Sequence, residues 1–186
     1  MIRRSLAALA LVTAIGSGAR AETHFGDKGV TLVSGSVGLQ VASSSGTNSN
    51  SLTTFALTPT LAHFIAPNVL LGVQLQLQII SSGGESLIGF AGLPLIGFNV
   101  ELTPLVSFVP QFLLGPQIQT VTGTGGVTLT RFSIGGFLPV VVHPEGHVFF
   151  AIGPNLLVDA AAGSSGNGNA ARLTLAGVQS AIGAYF

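Results

Sequence analysis

Residues 69–80 alternate so strictly that only an extended backbone can use the pattern. Val69, Leu71, Val73, Leu75, Leu77 and Ile79 share one parity, and Leu70, Gly72, Gln74, Gln76, Gln78 and Ile80 the other. Successive side chains of a strand point to opposite faces, so one face is apolar and the other carries glutamines. A helix would scatter both sets around its circumference. The same parity recurs over residues 30–42, where Val33, Val37, Leu39 and Val41 oppose Ser34, Ser36, Gly38 and Gln40. It recurs over 106–120, where Val106, Phe108, Phe112, Leu114 and Ile118 oppose Ser107, Gln111, Gly115, Gln117 and Gln119. Further strands are expected at about 51–62, 87–98, 127–142, 147–159 and 171–186, making eight. Neither face of 87–98 is polar, because Leu87, Leu93 and Leu95 compete with Ile88, Phe90 and Ile96, and its orientation stays open.

Composition decides which solvent the apolar faces meet. Charged residues make up only 6% of the chain and the mean hydropathy is +0.69, which leaves a water-soluble domain too few polar groups to cover its surface. Membrane helices are disfavoured even in residues 102–130, which contain no charge. Pro104, Pro110, Gln111, Gly115, Pro116, Gln117 and Gln119 interrupt that stretch, and a spanning helix needs about 18 continuous apolar residues. Strands cross a bilayer only as a closed barrel, which leaves no unpaired backbone edge in the lipid. The expected fold is therefore all-β, an eight-stranded antiparallel up-and-down transmembrane β-barrel. Its connections alternate in kind. Residues 43–50, 81–86, 122–126 and 160–169 are Gly, Ser, Asn and Thr loops, whereas 64–68, 99–104 and 143–146 are tighter and contain proline. Short periplasmic turns and polar external loops alternate in this way, placing both termini in the periplasm.

The start of the chain reads as an export signal. Met1-Ile2-Arg3-Arg4 is basic, residues 6–15 are apolar, and Ala19-Arg20-Ala21 is an A-x-A cleavage site. Residues 1–21 are thus expected to be removed, leaving a barrel domain over 22–186. Its bases are then Lys28, Arg131 and Arg172 and its acids Glu22, Asp27, Glu85, Glu101, Glu145 and Asp159, a net charge of −3 with no basic patch for nucleic acid. The absence of cysteine excludes disulfide staples, thiolate metal sites and a lipidated N-terminal cysteine.

Two motifs and the C-terminus carry a family resemblance. Leu57-Thr58-Pro59 is followed by Ala62-His63-Phe64-Ile65-Ala66-Pro67-Asn68 and a new strand. His143-Pro144-Glu145-Gly146-His147-Val148-Phe149-Phe150 leads to Ile152-Gly153-Pro154, and the chain ends in Phe186. Over residues 29–186 the sequence resembles the small eight-stranded outer-membrane barrels of Gram-negative bacteria, the OmpA/OmpX type and its outer membrane β-barrel domain relatives. The resemblance implies a porin-like fold in the outer membrane after export. It also implies outer-membrane lipid, periplasmic chaperones and the barrel-assembly machinery as partners. The assembly signal it implies is the final strand with Ile182, Ala184, Tyr185 and Phe186, with Ile182, Ala184 and Phe186 facing lipid. Tyr185 departs from the family by one position, Ala184 standing where an aromatic is expected. Pro59, Pro94, Pro110, Pro116, Pro139 and Pro154 fall inside expected strands, and bulges at Gly115-Pro116 and Gly153-Pro154 are expected to absorb two of them. With no Trp in the chain, Phe55, Phe108, Phe132, Phe150 and Phe186 are left to form the interfacial girdle.

Parity assigns the walls. Ser34, Ser36, Gln74, Gln76, Gln78, Gln111, Gln117, Gln119, Arg131 and Asp159 are expected to face the lumen, and Val73, Leu75, Leu77, Phe108, Phe112 and Phe150 to face lipid. Arg131 and Asp159, on adjacent strands, are expected to form an interior ion pair that spares each an unpaired buried charge. Arg172 has lipid parity and is placed at the external rim, where its cost falls toward zero. His63, His143 and His147 sit at different short turns with no metal-ligand spacing and are read as turn and interfacial hydrogen-bonding groups. Gly123-Thr124-Gly125-Gly126 lacks the helix and Lys of a phosphate loop. Ser34, Ser36, Ser133 and the histidines do not converge as a catalytic triad. No enzyme activity, cofactor or metal is expected. The leading role is an envelope or surface-interaction barrel with a side-chain-filled lumen. The alternatives are a narrow transporter or binder of small hydrophobic solutes, recruited by Leu70, Leu113, Phe149 and Leu157 in the lumen, and a secreted soluble barrel of lipocalin type.

Overall fold

The computed structural model describes residues 24–45, 51–82, 85–122, 128–144, 147–164 and 172–186. The expected signal segment and the centres of all four polar loops lie outside them. Period two becomes backbone along nearly the whole described chain. The strands are β1 (Thr31–Ser45), β2 (Ser51–Ala66), β3 (Val69–Ser82), β4 (Glu85–Phe98), β5 (Val100–Thr103), β6 (Val106–Phe108), β7 (Gln111–Thr122), β8 (Thr128–Phe137), β9 (Val140–Val142), β10 (Val148–Ser164) and β11 (Arg172–Tyr185). The short ones are continuations. β4 resumes as β5 after Asn99, β6 leads into β7 across Val109-Pro110, and β8 leads into β9 across Leu138-Pro139. There are thus eight staves, and residues 100–103, expected within a turn, extend the fourth.

Every stave pairs with two antiparallel neighbours. β11, β1, β2, β3, β4, β7, β8 and β10 follow one another around the wall, and β10 pairs again with β11. The closing seam joins the two ends of the chain, from Leu32 opposite Tyr185 to Ser45 opposite Arg172. Beyond it, the Thr31 and Phe186 amides each donate to the other's carbonyl, at 2.8 and 3.1 Å. At the first short turn Pro67 and Asn68 connect β2 to β3. Proline followed by a residue at positive φ, here Asn68 at 63°, is the sequence a type II turn requires.

The prolines are accommodated otherwise than expected. Register shifts fall between Phe64 and Ala66, Glu101 and Thr103, and Asp159 and Ala161, and none falls at Gly115-Pro116 or Gly153-Pro154. Gly115 and Pro116 pair in step with Ser133 and Phe132, and Gly153 and Pro154 with Gln179 and Val178. The physical reason is that a strand proline lacks one donor, aimed at one neighbour only. The β4–β7 ladder breaks between Ala91 and Leu95, around Pro94 and Pro116, while the ladder on the far side of β7 continues. Elsewhere proline carbonyls hold the wall together: the amides of Phe98, Val109 and Leu138 donate to Pro110, Pro139 and Pro154 at 3.1, 3.0 and 3.0 Å.

Orientation of the fourth stave, open in the sequence, is set by its neighbours. Ala91, Leu93, Leu95 and Gly97 are buried, whereas Ile88, Phe90, Pro94, Ile96 and Phe98 are exposed. Gly89 and Gly97 sit beneath the side chains of Gln78 and Gln111 from the flanking staves, leaving no room for a Cβ without displacement. The small residues must face inward.

Close approach of this kind gives a test. A Cβ at Gly153 would collide with the main chain of Leu138 and Pro139, where β8 passes into β9, whereas one at Gly35 meets no atom within 4 Å. Gly153→Ala should lower the unfolding free energy in detergent micelles by about 1–3 kcal/mol. Gly35→Ala should leave it nearly unchanged, and urea titration of both compares them directly.

Candidate functional site

The candidate site is the barrel interior together with its short-turn mouth. Inner and outer walls differ sharply in chemistry. Val73, Leu75, Leu77, Phe112 and Phe150 lie outside, 37 to 50% exposed, and Phe108 is half-buried on the same parity. Gln74, Gln76, Gln78, Gln117, Gln119, Ser36 and Arg131 are buried inside. Ser34 and Gln111 are half-buried and border the internal cavity. Asp159 pairs in register with Ser133, two residues from Arg131, and its side chain, like that of Arg172, lies outside the description. The Arg131–Asp159 ion pair accordingly stays an expectation.

The polar interior contains two groups of hydrogen-bonded side chains. One bridges the closing seam on β10, β11, β1 and β2: the Asn155 amide donates to Gln179 Oε1 at 2.9 Å, and Gln179 Nε2 donates to Ser36 Oγ at 2.7 Å and Thr58 Oγ1 at 3.2 Å. The Ser36 and Thr58 hydroxyls also bond to each other. Gln179 is only 3% exposed and is the hub, a role that sequence reading missed although its parity with Ala181 and Gly183 pointed inward. The second group is two separate pairs, one on β3 and one between β7 and β8. There Gln76 Nε2 reaches Gln78 Oε1 at 3.5 Å and Ser133 Oγ donates to Gln117 Oε1 at 3.1 Å. Between polar and apolar zones is a cavity of about 30 Å³, bordered by Gln74, Gln179 and Ser36 on one side and Leu70, Phe137 and Phe149 on the other. That is room for about one water.

Toward the short turns the interior turns apolar, and the N-terminal turn closes it. Phe25 is 8% exposed and touches four rings, with centroids 5.7 Å from Phe64, 5.8 Å from Phe149, 5.4 Å from Tyr185 and 4.7 Å from His143. The turn is fastened by main-chain bonds from Gly29 N–H to Phe64 O and from Asn68 N–H to Gly26 O, both 2.8 Å. Gly26 has φ +100°, and a Cβ there would press on the Asn68–Asn99 amide pair, so both backbone and space call for glycine. The cluster also accounts for the shifted aromatic at the C-terminus. Tyr185 is buried because it serves the interior seat of Phe25, while Ile182 faces outward at 56% exposure and Ala184 and Phe186 are intermediate.

The three short-turn histidines do different things. His63 is exposed and shares a 3.1 Å hydrogen bond with Thr31 Oγ1, and exposed His147 stands edge-on to Tyr185. His143 is not the interfacial group expected from its place beside Pro144. It is 7% exposed, stacked within 10° of parallel on Phe25, with Nε2 3.0 Å from Ser107 Oγ. Burial pushes its imidazole below the ordinary value, partly offset by a hydrogen bond with its own main chain and by nearby Glu101. Ser107 and His143 form a serine–histidine contact that the sequence reading did not consider. Ser107 is fully buried, with no face open to a substrate, so the contact orients the ring. Among the described residues no three His, Asp or Glu side chains group as a metal site.

Comparison with known proteins places this architecture. No protein-family model and no curated protein sequence matches the chain. Among solved structures, Neisserial surface protein A superposes with a TM-score of 0.60 at 12% identity, covering 86% of this chain and 100% of that one. Ail, the attachment invasion locus protein of Yersinia pestis, gives 0.50 at 11% identity over 86% and 99%. The fold is that of the small outer-membrane β-barrels. At these identities the likeness concerns the wall and not the contents, and the seam network and aromatic seat are described from this chain's own residues.

Gln179→Leu removes the hub while keeping the shape of the side chain roughly constant. Ser36, Thr58 and Asn155 then lose their shared partner in a buried place, and the barrel should lose about 1–3 kcal/mol. Ser180→Ala, one residue away and outward, is the control, and urea unfolding in micelles compares the two.

Proposed function

We propose that this chain is an integral outer-membrane protein of a Gram-negative envelope, with a structural or surface-interaction role and a lumen filled by its own side chains. The observation that carries this reading is the polarity of the wall. Leu57, Leu61, Leu71, Leu77, Phe90, Ile118, Phe150 and Val178 are 44 to 58% exposed on its outside, while buried glutamines occupy the inside. An apolar belt of that extent has no counterpart on a water-soluble monomer, whereas lipid accommodates it at no cost. A secreted lipocalin-like carrier needs the reverse arrangement, with apolar side chains inward and polar ones outward.

The lumen supports the filled-barrel reading over the transporter. Leu70, Leu113, Phe149 and Leu157 do face inward and are buried, but they pack with Phe25 and their neighbours into one core. A cavity of about 30 Å³ holds no drug-sized hydrophobic solute. In this reading the polar loops face outward from the cell, the short turns and both termini face the periplasm, and the final strand ending at Phe186 engages the barrel-assembly machinery. No catalytic group, metal or cofactor is part of it.

Two measurements test the reading. The full-length chain should remain in alkaline-washed outer membranes and migrate differently before and after boiling; release into periplasm or medium would refute membrane integration. Leu75→Arg places a charge on the lipid side and should cost about 2–4 kcal/mol or block insertion, while Gln76→Arg points inward and should be better tolerated. Equal harm from both, scored by the fraction of heat-modifiable protein, would refute the assigned faces.

A further inference from the structure

The turn formed by residues 24–30 is built as an occupant of the short-turn mouth. It inserts one aromatic ring among four others, and that ring also borders the internal cavity. Three main-chain bonds join it to β2 and the first short turn: Gly29 N–H to Phe64 O, Phe64 N–H to Val30 O and Asn68 N–H to Gly26 O, each 2.8 Å. Two of these lie where the turn runs into β1, so residues 24–28 are held by the Asn68 bond and by the seat of Phe25. One wall of that seat is titratable: the ring of His143 lies flat against Phe25 at 4.7 Å and its Nε2 is engaged by Ser107.

We propose that the N-terminal turn is a pH-gated plug, seated while His143 is neutral and released when His143 takes up a proton, opening the internal cavity to the short-turn side. A charge on this imidazole would be buried, covered on one face by Phe25, which itself packs on Phe64, Phe149 and Tyr185, with Ser107 as its hydrogen-bonding partner. Withdrawal of Phe25 lets water reach the ring. Two effects oppose release, the attraction of a cation for the Phe25 face and the carboxylate of Glu101. Burial outweighs them, since the imidazole stands below its ordinary value with Phe25 in place. The remaining charged or titratable groups of this mouth, His24, Asp27 and Lys28 on the turn, His63 on β2, Glu101 on β5 and His147 before β10, are exposed. Buried Tyr185 on β11 is the other such group of this mouth among the described residues.

The direction of the pH dependence follows. The unseated form binds more protons than the seated one below the ordinary imidazole value of 6.5. Seating is therefore complete above that value and weakens as the pH falls through it. Among the described residues the other rings packed on Phe25 are those of Phe64, Phe149 and Tyr185, none of which takes up a proton in this range, so the wall should stay closed throughout.

The absence of tryptophan makes the test clean. In the full barrel in micelles, Phe25→Trp supplies the chain's one indole, within the seat and excited selectively over the Tyr185 phenol. Its emission should be blue-shifted and shielded from acrylamide at neutral pH. At about pH 5 it should shift to the red with a several-fold rise in quenching. His143→Phe, which keeps a stacked ring but cannot charge, should abolish the acid response while leaving the neutral spectrum unchanged. In the unsubstituted protein the protection of the Gly29 and Asn68 amides, taken relative to the intrinsic exchange rate at each pH, should fall several-fold in acid while strand amides keep theirs. This second measurement stands if the larger indole fails to seat. An acid response that survives in His143→Phe, protection at Gly29 and Asn68 unchanged between neutral and acid pH, or strand protection lost together with theirs would each overturn the gate. Membrane integration is judged separately, by the carbonate wash, so failure of one reading is distinguishable from failure of the other.

Discussion

Hydrogen bonding between β1 and β11 is the interaction on which the remaining structure depends, because it turns a meander with two bare edges into a ring. Without it the outer strands would present rows of unpaired amides and carbonyls, which hydrocarbon cannot satisfy. Once the ring is closed, inside and outside become separate environments, and each residue's parity decides which it meets. Closure also tolerates local damage. The ladder between β4 and β7 is interrupted around Pro94 and Pro116, yet both staves keep their other partners, β3 and β8.

The interior is organised by the same closure. The network of Asn155, Gln179, Ser36 and Thr58 crosses the seam, so side-chain bonds reinforce the joint that main-chain bonds make. A buried polar network is useful only when its members satisfy one another, and this one ties four adjacent staves through a single glutamine. At the short-turn end the chemistry changes from amides to rings. Phe25, contributed by the segment preceding the first strand, meets Tyr185 from the last, so the turn before β1 and the end of β11 enter one packed cluster.

Much of the wall was legible because lipid imposes a binary code. A glutamine and the leucine next to it cannot exchange faces, and β3 and β7 follow the sequence parity residue by residue. The fourth stave was illegible for the converse reason: Leu93 and Ile96 are equally apolar. Its orientation is decided by what Gly89 and Gly97 meet across the sheet, which no local pattern encodes. Expected bulges at proline were misplaced because the sequence does not show which neighbour a missing donor would have faced. The mouth was the largest omission. Phe25 stands outside any alternating segment, His143 looks like a turn residue beside Pro144, and Tyr185 looks like a misplaced membrane aromatic. Each makes sense only when the three are brought together from positions far apart in the chain.

The pairing of Thr31 with Phe186 has a kinetic side. Contacts this distant in sequence carry a large loop-closure entropy and form slowly. The first strand emerges from synthesis well before its partner, with every other strand of the ring between them, so one flank of β1 must wait, bare and adhesive, until β11 follows. A sheet whose first and last strands are neighbours is thus obliged to depend on its surroundings for protection during that interval. The finished ring, having no free flank, needs none.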